Sequence, residues 1–220
     1  MNTASTRQPR IPEPPKPSAP EARRAVCGAC LRPQPTCICR WVTALPNQVE
    51  VLILQHPMEV HNAKGSARLL HLSLANSRLE VGETFDPEQL QALLAPGRRN
   101  VLLYPDNDDA SLGLARPQPF DPAWLQEPLR LVVLDGTWRK SRKMLYLNPL
   151  LQALPRLPLR DTPPSHYLIR KAHLPDQLST LEATVYALAQ LENDINKYNP
   201  LIDAFDGFVA QQASYVTRAV

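Results

Sequence analysis

The chain has 220 residues, of which 44% are hydrophobic and 20% charged, with a formal charge of +3 at pH 7. This composition suits one soluble core of ordinary size with at most a small appendage, and no apolar run approaches the roughly 18 residues of a membrane span, so no membrane partner is expected. The seven glycines lie at 28, 65, 82, 97, 113, 136 and 207, so neither G-x-G-x-x-G nor G-x-x-x-x-G-K-[ST] can be written; a dinucleotide enzyme, a P-loop NTPase and a glycine-looped methyltransferase are disfavoured.

Residues 1–24 carry six prolines and no apolar periodicity, which predicts a disordered tail. The tail lacks the apolar core of a secretory signal and is too acidic and proline-rich for a transit peptide, so a cytoplasmic protein is expected. All four cysteines follow within thirteen residues, at Cys27, Cys30, Cys37 and Cys39. A C-x2-C pair and a C-x-C pair can close a four-thiolate site, and without a secretory context this spacing suits metal better than disulfides. Residues 25–42 therefore read as a small structural zinc knuckle serving folding and RNA docking, with an iron–sulfur centre or free thiols as alternatives.

Residues 43–220 read as one α/β domain with a mostly parallel sheet and flanking helices. Val49 to Gln55 is an apolar strand ending on polar groups, His56-Pro57-Met58-Glu59. A helix is predicted over Asn62 to Leu74, with leucines on its core face and Lys64 and Arg68 as i,i+4 cations. Strands over 76–81 and 100–104 flank a helix over 86–94 that Asp86 caps. The acids of Asp106-Asn107-Asp108-Asp109 read as turn chemistry in preference to a magnesium site.

Leu131 to Leu134 is an unbroken apolar run, the mark of a strand buried on both faces. Asp135-Gly136 turns the chain, Thr137 can cap a helix, and a helix starts at Trp138. Ligands in open α/β sheets sit beyond the carboxyl ends of the strands, where Asp135 falls, although a turn residue is the competing reading. Arg139, Lys140, Arg142 and Lys143 then put four cations within five residues, which repel unless an anion neutralises them. A phosphate backbone would do so; a solvated face is the alternative. Beyond the proline-rich stretch to Pro164, a strand is predicted over 166–172, ending on Arg170 and Lys171. Ser179 and Glu182 form a capping-box pattern opening a helix to about residue 192. The cap alone explains them, while a helix N-terminus can also hold a carboxylate. An amphipathic helix over 200–218 closes the chain.

Five blocks in one order resemble a known family: the C-x2-C and C-x-C knuckle, His56-Pro57-x-Glu59 followed by N-A-K-G-S-A-R-L-L, Tyr104-Pro105 with Asp109-Ala110, the D-x-T-W run Asp135 to Trp138 followed by Arg139, and Tyr167 to Arg170 with S-T-L-E-A at 179–183. These resemble the DTW-domain tRNA-uridine aminocarboxypropyltransferases, related in fold to the SPOUT group of RNA-modifying enzymes. Ala63-Lys64-Gly65 departs from the N-T-G-R-L pattern of many members. The resemblance implies a SPOUT-like fold, in that group with a C-terminal knot. It also implies transfer of the 3-amino-3-carboxypropyl group of S-adenosylmethionine to N3 of a tRNA uridine. By the same resemblance the catalytic residues are Asp135, Thr137 and Trp138, and the cofactor pocket uses His56, Glu59, Thr180 and Glu182. Binding of tRNA then falls to Lys64, Arg68, Arg139, Lys140, Arg142, Lys143, Arg170 and Lys171, and zinc to the four cysteines. An ordinary carboxylate is too weak a base for uridine, so Asp135 either has a raised pKa through burial or orients the base. A methyltransferase of the same fold and a zinc-dependent RNA-binding module without chemistry are the rival readings.

Overall fold

The computed structural model describes residues 25–106, 117–166 and 177–217. The predicted tail, the acids Asp108 and Asp109 with Asn107 and Ala110 beside them, and most of the strand expected over 166–172, with Arg170 and Lys171, lie outside the described residues.

Among the described residues five strands form one parallel sheet: β1 (Glu50–Gln55), β2 (Ser77–Val81), β3 (Arg99–Leu103), β4 (Leu129–Asp135) and β5 (Arg156–Leu157), in the order β2-β1-β4-β3-β5. The helices are α1 (Ala67–Ser73), α2 (Pro87–Leu93), α3 (Trp138–Leu147), α4 (Pro149–Gln152), α5 (Thr180–Leu191) and α6 (Asn199–Thr217). Side chains of a strand alternate between faces, so the continuous apolar runs of β1 and β4 feed two cores at once. Val51, Ile53, Leu131 and Val133 pack on one face with α1, α5 and α6. Leu52, Leu54, Val132 and Leu134 pack on the other with α2, α3 and α4. The result is three layers, with helices on both sides of the sheet.

That layering fixes where a site can form. The chain leaves β1 toward α1 on one face and leaves β4 toward α3 on the other, although β1 and β4 are neighbours. A crevice must open between their carboxyl ends, because the two connections diverge there. Residues 55 and 135 are paired across it, and the His56 amide donates to the Asp135 carbonyl at 2.9 Å.

Two local expectations need correction. The helix expected from Asn62 starts only at Ala67. Asn62 Oδ1 accepts from the Lys64 amide at 3.0 Å and the Asn62 carbonyl from the Gly65 amide at 2.8 Å, a local turn that outcompetes the helical bonding of these residues. Lys64 is therefore in a loop and is not stacked one helical turn from Arg68. The proline-rich stretch after Pro149 also contains α4 and the two-residue strand β5, both too short to show a period.

The knuckle docks on the core instead of hanging free of it. Trp41 seats against α6, where a Cβ added at Gly207 would lie 2.2 Å from its ring, so only glycine permits the approach. Its indole donates to Gln211 Oε1, Gln211 Nε2 donates to the Cys37 carbonyl at 3.1 Å, and the Tyr215 hydroxyl donates to the Pro35 carbonyl at 3.0 Å. Among the described residues no helix is long and apolar enough to cross a membrane.

Candidate active site and metal centre

Asp135 ends β4 at the crevice and is 5% exposed. Its carboxylate accepts from Thr180 Oγ1 at 2.6 Å on one oxygen and from Gln55 Nε2 at 2.8 Å on the other. Three elements, β1, β4 and α5, thus fix the plane of one buried carboxylate. Thr137 caps α3, its hydroxyl oxygen accepting from the Lys140 amide at 3.4 Å. Gly136 lets α3 fold back closely, since a Cβ there would meet Lys140 Cβ at 3.1 Å.

Two adjoining clefts share Gly136, Ser179 and Thr180. The first, about 560 Å³ counting its open mouth, has an apolar and aromatic wall that includes Leu103, Tyr104, Leu134, Trp138 and Leu178. Trp138 is 51% exposed and meets the buried Tyr104 edge-on, with centroids 5.8 Å apart. The second, about 510 Å³ counted the same way, is polar and bordered by Glu59, Asn62, Lys64, Ser66, Asp135 and Thr137. The structure therefore brings Glu59, Lys64, Asp135, Thr137, Trp138 and Thr180 to one place.

His56, Glu182 and Arg68 line neither cleft. His56 Nδ1 accepts from the Met58 amide at 3.1 Å, which assigns the ring proton to Nε2, facing Glu83 Oε1 at 2.9 Å. Glu182 is fully buried; it completes the capping box with Ser179 and accepts from Ser165 Oγ, the His166 amide and the Ser179 amide. The amides of Leu181, Glu182 and Ala183 bond to Ser66 Oγ, Ser179 Oγ and the Ser179 carbonyl, so these first-turn donors of α5 are already engaged within the protein. Arg68 is half-buried beside His71, whose pKa is pushed down by burial and by the Arg68 charge.

The basic face of α3 needs no external anion for half of its charges. Lys140 Nζ lies 2.7 Å from Glu59 Oε1 and Lys143 Nζ 2.9 Å from Glu83 Oε2. The Lys143 and His56 hydrogen bonds hold the Glu83 carboxyl below the usual carboxylate range. Arg139 and Arg142 are exposed. Gln55 contacts Asp135, and Glu83 contacts His56 and Lys143, without either being singled out in the sequence, and Tyr104 is named there only within a motif block. For Gln55 a signal exists: a polar residue closing an apolar strand immediately before His56.

The four cysteine sulfurs lie within 4.8 Å of one another, with Cys27 to Cys39 at 3.6 Å and Cys30 to Cys37 at 3.7 Å. Disulfides require about 2.05 Å. Thiolates arranged tetrahedrally at about 2.3 Å from an ion are about 3.8 Å apart, so the cluster can hold a metal ion. Amides of Cys30 and Ala29 bring the Cys27 thiol down to about 6, whereas burial and the neighbouring sulfurs push Cys39 up to about 12. Four thiolates coexist there only with a cation among them.

Residues 24–213 match the DTW domain family. The chain belongs to the DTW-domain family. Among relatives of this DTW-domain chain, tRNA-uridine aminocarboxypropyltransferase 2 of Drosophila melanogaster is 32% identical over 182 residues, covering 78% of this chain and 68% of the relative. The enzyme of that name from Macaca fascicularis is 29% identical over 178 residues, covering 78% of this chain. The chain spans 58% of the length of that relative. tRNA-uridine aminocarboxypropyltransferase A of Arabidopsis thaliana is 29% identical over 139 residues, covering 56% of this chain and 51% of the relative. No solved structure matches this DTW-domain chain.

Proposed function

We propose that the protein transfers the 3-amino-3-carboxypropyl group of S-adenosylmethionine to N3 of a tRNA uridine, leaving 5′-methylthioadenosine. The observation that carries this reading is Asp135, buried and held in one orientation by Thr180 and Gln55 at the junction of an aromatic cleft and a polar one. The names of the relatives agree with it. The donor supplies a carbon made electrophilic by the neighbouring sulfonium. Uridine N3 passes its proton to the Asp135 carboxylate as a bond forms from N3 to Cγ, and the Cγ–S bond breaks with its electron pair going to sulfur, leaving a neutral thioether.

The residues of the clefts suit this division of labour. Lys64, Glu59 and Asn62 offer charges and hydrogen bonds for an amino acid end, and Trp138 and Tyr104 offer ring faces and edges for a base. Asp135 accepts a hydrogen bond from uracil N3–H, which orients the base edge, and takes up the N3 proton as the new bond forms; held by two donors, its carboxylate is oriented for this in advance. Thr137 and Trp138 complete the rim. His56 and Glu83 support this arrangement from behind Gly136, and Glu182 supports the start of α5. A SPOUT-like architecture with its knot, and a cytoplasmic setting, belong to the same reading. Incubation with tRNA and S-adenosylmethionine followed by nucleoside mass spectrometry tests it: an aminocarboxypropyl uridine is expected. A methyl product would convert the reading to a methyltransferase, and no product to a binding module.

The exposed arginines of α3, Arg139 and Arg142, are assigned to tRNA phosphates. Changing Arg139 and Arg142 together to alanine is expected to flatten the slope of log affinity against log salt by roughly 0.7 to 0.9 for each phosphate that is no longer neutralised. Lys143→Ala, whose partner is Glu83, should change it less. An unaltered slope in the double variant would leave α3 as a solvated face.

Zinc is the ion proposed for Cys27, Cys30, Cys37 and Cys39. Cys37→Ser is expected to lose stoichiometric zinc by elemental analysis, and folded wild-type protein that contains no zinc after purification without chelators would refute the assignment.

A further inference from the structure

Asn62, Lys64, Gly65 and Ser66 line the polar cleft, and the backbone of this turn is held by a side chain that does not itself line that cleft. Arg32, two residues beyond Cys30 in the knuckle, donates from one guanidinium nitrogen to the Ala63 carbonyl at 2.6 Å and from the other to the Gly65 carbonyl at 3.0 Å. Its own position is fixed from behind. The Arg32 carbonyl accepts from the Cys27 amide at 2.8 Å, Leu31 beside it takes a left-handed conformation with φ 59°, and the guanidinium lies 5.2 Å from the centre of the Phe208 ring on α6.

The wall it grips has little slack. Asn62 is tied to Glu59 through its amide side chain at 2.7 Å, and Glu59 in turn to Lys140. The turn closes tightly at Gly65, where a Cβ would come 3.2 Å from the Asn62 carbonyl oxygen. At its far end the Ser66 hydroxyl accepts from the Leu181 amide of α5. Between these anchors, two carbonyls two residues apart are bound by one rigid fork. A guanidinium can span them, whereas an ammonium is a single point on a flexible stem.

We propose that Arg32 is a positioning residue for the polar cleft, bracing its 63–65 wall from the knuckle so that the cleft is preorganised for the amino acid end of its substrate. This rests on the function proposed above for the identity of that substrate, but the bracing itself does not. The knuckle then has a task at the site without touching the reacting atoms.

The test compares wild-type protein, purified with its metal, with Arg32→Ala, Arg32→Lys and Arg40→Ala; Arg40 is an exposed knuckle cation stacked on Trp41 instead. Hydrogen exchange should show the peptide covering 59–66 exchanging about threefold faster or more in Arg32→Ala, with β4 peptides and metal content unchanged. Arg32→Lys should fall between, and Arg40→Ala should match wild type. In turnover assays Arg32→Ala should raise KM for S-adenosylmethionine about three- to tenfold and leave kcat within about twofold. Unchanged exchange at 59–66, loss of metal from Arg32→Ala, or the same loosening in Arg40→Ala would each overturn the proposal. If wild-type protein turns over no S-adenosylmethionine, the functional reading fails while the exchange comparison still decides the role of Arg32.

Discussion

Replacing Asp135 by asparagine is expected to lower the transfer rate on the order of 100-fold or more, the scale of a positioned charged or proton-handling group, in a protein that remains folded. Asparagine keeps the size of the side chain and can still present one carbonyl oxygen to Gln55 Nε2, which now donates at 2.8 Å. Its amide nitrogen would then face the Thr180 hydroxyl, which donates to Asp135 at 2.6 Å and would have to turn round to accept. The structural cost is about one hydrogen bond, roughly 1 kcal/mol. A turn residue would show that cost and nothing more. Turnover and thermal unfolding measured on one preparation separate the two roles, and an Asp135→Asn enzyme within about threefold of wild type would remove Asp135 from the chemistry.

Glu182→Ala should produce the largest stability loss among the polar residues around the site, roughly 3 to 4 kcal/mol by urea unfolding. The carboxylate is fully buried and accepts from the Ser179 amide at 2.7 Å, the His166 amide at 2.6 Å and the Ser165 hydroxyl at about 3 Å. Truncation strands two backbone donors and a hydroxyl at once, and it loosens the start of α5 that presents Thr180 to Asp135. Glu182→Gln keeps the shape and one good acceptor, so roughly 1 to 3 kcal/mol is expected there. If Glu182→Ala unfolds within about 1 kcal/mol of wild type, the carboxylate is no structural keystone and a direct role with a ligand becomes the better account.

The sheet is legible in the sequence because β1 and β4 are apolar on both faces, so their runs are unbroken and end abruptly on Gln55-His56 and Asp135. Asp86 and Ser179 announce α2 and α5 in the same way, each with a side chain that takes amide bonds in the structure. The turn at 62–65 is hidden by the leucine pattern that follows it. A helix period beginning at residue 67 reads backwards into any polar residues before it, and only the Asn62 side chain decides against them. At the site, Asp135 and Thr180 can be selected by their places at element ends. Gln55 is marked only as the polar end of β1; its bond to Asp135 follows from the pairing of two strands 80 residues apart, which the sequence does not display. The basic run on α3 is legible in part for a related reason: its charge is visible in sequence, whereas Glu59 and Glu83, which pair with Lys140 and Lys143, arrive from other segments.

The docking of Trp41 and Cys37 on α6 also orders events in time. Thirteen residues suffice to gather four thiols, so a cation can be captured while the chain is still being made. The seat that the knuckle needs is formed by Gly207, Gln211 and Tyr215, which leave the ribosome more than 160 residues later. During synthesis the knuckle must therefore wait undocked, and Arg32 cannot rest on Phe208 until then. The cleft wall that an early segment holds is thus fully backed only after a much later segment has been made.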